Sequence, residues 1–144
     1  MNPYHLQEDV QLMCTTVTTF PNGITEAFKS LQHLLTDEQD RPFYGISYFN
    51  EEGNIVYKAA ATTTSEEEAK RYGLEYFVIP KGRYISETLV NWMDQLPNIG
   101  NTFSAMMKDE RADSSFPCIE WYKSDIEMMC MMRTKQQELQ PLAL

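Results

Sequence analysis

Cysteine is scarce in this chain, and what there is forms no motif. Only three occur in 144 residues, Cys14, Cys118 and Cys130. The count is odd, the spacing is wide and Cys-x-x-Cys is missing, so neither a disulfide framework nor a zinc ribbon is expected. The thiols read instead as small core residues. Histidine is scarcer still: His5 and His33 stand far apart with no cysteine or carboxylate at ligand spacing, and no metal site is expected. No glycine-rich phosphate loop occurs, because Lys81-Gly82 reads as a turn. Ser47, Ser86 and Cys118 have no histidine near them in any register, which argues against a nucleophilic triad. No cofactor is expected.

Long apolar runs are also missing; none approaches the ~20 residues that cross a bilayer. The start, Met1-Asn2-Pro3-Tyr4-His5, has neither the basic beginning nor the apolar centre of a signal peptide, so the expected compartment is the cytoplasm, away from membranes. Positive charge is in short supply: 12 basic residues face 21 acidic ones, a net charge of −9. The basic residues are scattered and no helix-turn-helix pattern fits, so direct nucleic-acid binding is not expected. The densest acidic run, Ser65-Glu66-Glu67-Glu68, suits a solvated turn or a helix start, with serine as N-cap and the acids favoured by the helix dipole.

What remains is ordinary globular material, 42% hydrophobic and 23% charged, enough for one domain with its own core. We expect that domain over residues 1–134. The polar, proline-interrupted stretch 135–144 reads as a frayed tail.

A first strand is predicted near Asp9 to Thr18. A helix follows to about Leu35, capped by Asn22 or Thr25, with Ile24, Ala27, Phe28, Leu31, Leu34 and Leu35 on one stripe. Residues 42–50 and 54–63 form two strands around Glu51-Glu52-Gly53, where Gly53 supplies the positive φ of a short hairpin loop. Strands at 74–79 and 83–90 flank Pro80-Lys81-Gly82. Pro97 and Asn98 open a second long helix, with Ile99, Phe103, Met106 and Met107 inward. A final hairpin turns at Lys123-Ser124-Asp125.

The order strand, helix, strand, strand occurs twice. Phe20-Pro21-Asn22 precedes one helix and Leu96-Pro97-Asn98 the other, while Tyr48 and Tyr122 end comparable hairpin arms. On that register Ile46 takes the place of Glu120. An internal duplication implies two units about a pseudo-two-fold axis, whose seam is a natural cleft.

Glu120 stands in Phe116-Pro117-Cys118-Ile119-Glu120-Trp121-Tyr122, a run otherwise suited to burial. A carboxylate there must be solvated in a groove, paired, or shifted in pKa; the plain alternative is a strand residue pointing outward. Alternation places Cys118 and Tyr122 on its face, and Tyr44 and Tyr48 are expected to share that face from the first hairpin. Such tyrosines either stack on a flat ligand or fill the core. Trp92, between strand and helix, closes one end of the cleft or plugs the core. Trp121 alternates away and reads as core. Met128, Met129, Met131 and Met132 read as adaptable packing, with a pliable pocket wall as the alternative.

Four segments carry a resemblance to a known family. They are Phe20-Pro21-Asn22-Gly23-Ile24, Tyr44-Gly45-Ile46-Ser47, Ile79-Pro80-Lys81-Gly82-Arg83-Tyr84 and Pro117-Cys118-Ile119-Glu120-Trp121-Tyr122. In their order and spacing, over roughly residues 9–133, the chain resembles the GyrI-like effector-binding domains, which also form the ligand domains of some AraC-type and MerR-type bacterial regulators. The resemblance implies an α+β fold of duplicated β-α-β-β units, with a curved antiparallel sheet, two helices and a central ligand groove. It also implies that Glu120 projects into the groove as the anchor for a cationic or polar aromatic ligand.

The leading expectation is thus a stand-alone protein that binds a hydrophobic or aromatic small molecule, cationic in some cases, in a drug or toxin response or alongside transcriptional regulation. Glu120, Tyr122, Tyr44, Tyr48, Trp92 and Cys118 are its candidate ligand contacts. The alternative is a hydrolase of reactive cyclopropane-type electrophiles, an activity found in some stand-alone relatives, with Glu120 as its acid. The third reading is an acidic protein that docks a basic protein partner.

Overall fold

Alternating apolar residues and well-placed turns give this chain more strand than helix. The computed structural model describes residues 1–35 and 41–137. Among these residues, eight strands and three helices follow the order β1 (Asn2–Leu6), β2 (Val10–Thr16), α1 (Ile24–Leu34), β3 (Phe43–Phe49), β4 (Ile55–Thr62), α2 (Glu66–Arg71), β5 (Glu75–Ile79), β6 (Gly82–Val90), α3 (Leu96–Met107), β7 (Cys118–Tyr122) and β8 (Glu127–Arg133). A short 3-10 turn, Trp92–Gln95, leads into α3.

The strands form one curled antiparallel sheet in the order β1-β6-β8-β7-β3-β4-β2-β5. The order is symmetric about its centre: β7 mirrors β3, β8 mirrors β4 and β6 mirrors β2. The strand-helix-strand-strand repeat therefore meets at the β3–β7 pair, which joins the two halves.

The two faces of the sheet have different partners. Leu12, Cys14, Tyr44, Ile46, Ala60, Tyr84, Ile119, Met129 and Met131 fill the inner side of the curl. On the other face, Leu31 of α1 packs with Val17, Tyr57 and Ala59. Phe103 and Met106 of α3 pack there with Cys118, Met128, Cys130 and Met132. The methionines of β8 thus serve both faces as close packing. Burying a side chain of this size contributes about 1.5–3 kcal/mol.

Local chemistry explains most boundaries. Gly53 takes φ 81° in the β3–β4 turn, closed by Asn50 N–H on the Asn54 carbonyl at 2.8 Å. The Ser65 hydroxyl accepts the Glu68 N–H at 3.2 Å and caps α2. The acidic run is thereby a complete short helix, a third where the resemblance implied two.

Several expectations need correction. Neither Asn22 nor Thr25 caps α1; the N-cap is Gly23, with φ 92° and no side-chain bond. The edge strand β1 was not anticipated, because Pro3 and His5 break any apolar alternation. An edge position tolerates both, since one side of the strand needs no ladder partner. The alignment of Ile46 with Glu120 also fails. Ile46 is paired with Ile119, and Gly45 with Glu120, so a register one residue off placed Ile46 on the wrong face. Of the expected frayed tail, residues 138–144 lie outside the described residues. Lys135 donates to the Arg111 carbonyl at 2.9 Å, and Gln137 Nε2 donates to the Arg83 carbonyl at 3.0 Å.

Candidate functional site

The centre of the sheet, between α1 and α3, is the floor of a groove of about 2390 Å³. Its floor is the helix-facing side of β3, β4 and β7. Antiparallel pairing sets Phe43 opposite Tyr122, Gly45 opposite Glu120 and Ser47 opposite Cys118. Ser47 is in turn paired with Tyr57 of β4, so Tyr57 shares this face.

Glu120 is only 7% exposed, yet it lines the groove. Its Oε1 accepts two hydroxyls, from Tyr57 at 2.7 Å and from Tyr122 at 2.6 Å. The two hydroxyl oxygens lie 3.2 Å apart. Oε2 takes no hydrogen bond, and no sealed polar side-chain atom among the described residues lacks a partner. Oε2 is therefore not fully sealed, in a residue that lines the groove. One carboxylate oxygen is held by two phenols and the other takes no hydrogen bond.

Gly45 makes this possible. A Cβ at that position would collide with both Glu120 Oε1 and the Tyr57 hydroxyl. The absent side chain is the space in which carboxylate and phenol meet.

Burial raises the carboxyl pKa of Glu120 above its ordinary value, and the two tyrosine donors only partly oppose it. Tyr57 and Tyr122 rise well above the usual phenol range, first through burial and then through the nearby carboxylate. Burial also lifts Cys118 to about 11, with the charge of Glu120 adding to it, so this thiol is no ready nucleophile.

Aromatic rings wall the site. The ring of Tyr122 lies 5.4 Å from Phe28 of α1 and 5.0 Å from Trp92. Phe20 stacks on Tyr57 at 5.4 Å. The Trp92 indole donates to the Ser124 carbonyl at 3.1 Å, fixing the 3-10 turn against the last hairpin. Trp92 thus both lines the groove and packs against the core cluster around Phe103 and Met106.

Four candidate contacts, Glu120, Tyr122, Trp92 and Cys118, are together on this face. Tyr44 and Tyr48 are not, and that expectation is corrected. Tyr44 is paired with Trp121, one residue out of phase with Glu120, and stacks on it at 6.0 Å inside the curl. Burial there lifts its pKa to about 12. Tyr48 shares that phase, is 37% exposed under Lys58, and is still among the residues that line the groove. The β3–β4 hairpin is as expected, and it is the pairing of β3 with β7 that sets which of its residues face the groove. Tyr57 and Gly45 were missed for the same reason, although pairing back from Gly53 puts Tyr57 opposite Ser47.

Among the described residues, no three His, Cys, Asp or Glu side chains gather to hold a metal ion. No helix among the described residues is long and apolar enough to cross a membrane.

Comparison with known proteins fits this geometry. The model of the GyrI-like small molecule binding domain matches residues 10–128. No protein of curated function is similar to the chain. Among solved structures, an integron cassette protein from Vibrio cholerae is similar at 12% identity and a TM-score of 0.68, over 93% of this chain and 95% of that one. A hydrolase from Listeria innocua is similar at 9% identity and 0.58, over 93% and 90%. The protein SAV2435, solved bound to tetraphenylphosphonium, is similar at 11% identity and 0.61, over 93% of each chain. At such identities the likeness is one of fold alone.

Proposed function

The chain belongs to the GyrI-like family of small-molecule-binding domains, and from that membership we propose that its groove takes a hydrophobic aromatic ligand bearing a positive charge or a hydrogen-bond donor, anchored by Glu120. One observation carries the reading: a buried carboxylate in a residue lining an aromatic-walled groove, with one oxygen fixed by two phenols and the other without a hydrogen bond. An uncharged apolar ligand would cover that oxygen without pairing it, at a cost of about 1–3 kcal/mol. A cation or an N–H group restores the partner, and the rings of Trp92 and Tyr122 favour a cation over their faces. The related fold that holds tetraphenylphosphonium supports the same ligand class.

Thermal unfolding of wild type and Glu120→Gln, with tetraphenylphosphonium and with neutral triphenylphosphine oxide, tests this. The cation should raise the wild-type midpoint by several degrees and the mutant midpoint much less, with the neutral compound weak in both. Equal shifts in wild type and mutant would remove Glu120 from the site.

A second reading is a hydrolase, favoured by the raised pKa of Glu120 and by the related hydrolase fold. A protonated Glu120 would act as a general acid toward a strained electrophile, with a tyrosine holding the departing oxygen. Turnover of such an electrophile, lost in Glu120→Gln while binding persists, would support it. Absence of turnover across a panel of electrophiles would leave the binding reading alone.

A further inference from the structure

The floor of the groove runs on past Ser47 and Tyr57 to one end of the β3–β7 seam. Phe49 and Ile55 pair across the β3–β4 hairpin, one following Ser47 by two residues and the other preceding Tyr57 by two. Strand alternation therefore keeps them on the same face. Both line the groove, yet Phe49 is 58% exposed and Ile55 46%. Phe116 belongs to this end as well, because it precedes Cys118 by two residues and Cys118 pairs with Ser47. Two large apolar side chains thus form a shelf left in water.

The last described residue, Gln137, is fixed close by. Its Oε1 accepts the Arg83 N–H at 2.8 Å, and its Nε2 donates to the carbonyls of Arg83 at 3.0 Å and Thr134 at 2.8 Å. The carboxamide sits so close to Gly82 that a Cβ there would collide with it. Arg133 Nη1 reaches the same spot and donates to the Lys81 carbonyl at 3.1 Å. The guanidinium carbon of Arg133 lies 5.8 Å from the centre of the Phe116 ring. One guanidinium therefore stands between the point where the chain leaves the sheet and the exposed end of the groove.

Gln137 is followed by Glu138-Leu139-Gln140-Pro141-Leu142-Ala143-Leu144. These seven residues reach about 23–25 Å when extended, enough to pass Phe116 and lie over Phe49 and Ile55. Pro141 disfavours a helix here and biases Gln140 towards an extended backbone. In a proline-type helix of three residues per turn, Leu139 and Leu142 share one side. Only Glu138 in the segment is charged. We infer that residues 138–144 fold back onto the open end of the groove, with Leu139 and Leu142 over Phe49 and Ile55. The chain's own tail thereby covers apolar floor that a long ligand would otherwise take. Glu120 plays no part in this contact.

A nitroxide on Ala143→Cys tests the contact by NMR in the full chain, since Cys14, Cys118 and Cys130 are buried and escape the label. The label should broaden the amide signals of Phe49, Ile55 and Phe116 and spare Ser124 and Asp125 at the other end of the seam. Adding Leu139→Asp and Leu142→Asp should remove the broadening at Phe49 and Ile55. Phe49→Asn, a change at an exposed position, should remove it at Ile55. Fluorescence of 1-anilinonaphthalene-8-sulfonate should rise in the leucine double variant, as the shelf is uncovered, and fall back when Phe49→Asn is added.

A tail that merely hangs near Phe116 would broaden these signals equally in the double variant, and that result would overturn the contact. So would sharp signals at Phe49 and Ile55 in the labelled chain with its leucines intact. Broadening carried only from a labelled molecule to an unlabelled, isotope-enriched one would give the shelf to a second copy and overturn the fold-back.

Discussion

A buried carboxylate shared by two phenols sets two demands that pull in opposite directions. Burial disfavours the charge, and the donors of Tyr57 and Tyr122 favour it. Burial is the larger effect, so the native protein holds the Glu120 proton more tightly than the unfolded chain. The sign of the pH dependence follows. Glu120 is least costly below the ordinary carboxylate pKa, and stability is lost as pH rises through its raised native value. Glu120→Gln keeps an oxygen for the two hydroxyls and removes the charge. Its unfolding midpoint should therefore exceed that of wild type at pH 8, and the gap should close as pH falls to 4; a constant gap would mean that Glu120 titrates normally. Tyr57→Phe removes one donor to a charged acceptor, at an expected cost of about 1.5–3 kcal/mol in urea unfolding at neutral pH. Gly45→Ala tests the space itself. Its methyl group must displace Glu120 or Tyr57, so it should weaken tetraphenylphosphonium binding at least tenfold while the circular dichroism spectrum persists. Glu120 was legible in the sequence because a lone acid interrupts an apolar run. Gly45 and Tyr57 were not, because their roles exist only once β3, β4 and β7 are aligned.

Among the elements, α2 shows how a short helix is held where propensity is weak. Six residues are too few for stability in isolation. Ser65 caps the first turn, and the Arg41 guanidinium clamps Glu68, with Nη1 2.9 Å from Oε1 and Nη2 3.1 Å from Oε2. Arg41 Nη1 also donates to the Thr62 carbonyl at 2.8 Å, and the Thr63 hydroxyl to Glu68 at 2.6 Å. Helix, β4 and the segment before β3 are thereby fastened at one point. The Arg41 and Thr63 bonds hold the Glu68 carboxyl down to about 2. This lowered group stabilises the fold above its ordinary value of 4.5 and loses that contribution as pH falls towards 2. Arg41→Ala should cost about 3 kcal/mol at pH 7, because it strands a mostly buried carboxylate. The cost should shrink between pH 4.5 and 2, as urea titrations at successive pH values would show. The N-cap was readable from Ser65 and the acids behind it. The clamp was not, because Arg41 and Glu68 are distant in sequence and meet only through β3–β4 pairing. The loss of β1 to the reading has a similar cause: an edge strand is defined by the neighbour that accepts it, here β6.

For the whole molecule, the duplicated order was visible in the letters, and so was the consequence that the two halves meet at a seam. What the letters did not give is which face of the seam is the ligand side, since one residue of slip exchanges Glu120 for Ile46 and carries Tyr44 and Tyr48 across the sheet. The fold places the carboxylate at the junction of β3 and β7, so each half supplies part of the proposed site: Tyr57 and Phe28 come from one, Glu120, Tyr122 and Trp92 from the other. With Glu120 as the proposed anchor, ligand binding there would be coupled to protonation. A permanently charged cation beside Oε2 favours the ionised carboxylate, so its binding to the protonated form expels a proton. Affinity for tetraphenylphosphonium should accordingly rise with pH until Glu120 is fully ionised, and then level off. Below that plateau, calorimetric enthalpies measured at one pH should differ between phosphate and Tris, in proportion to the buffers' ionisation enthalpies. Glu120→Gln has no proton to release, so the dependence on buffer should disappear. If wild type binds the cation with the same apparent enthalpy in both buffers throughout the rising limb, the charge that anchors the ligand is not that of Glu120.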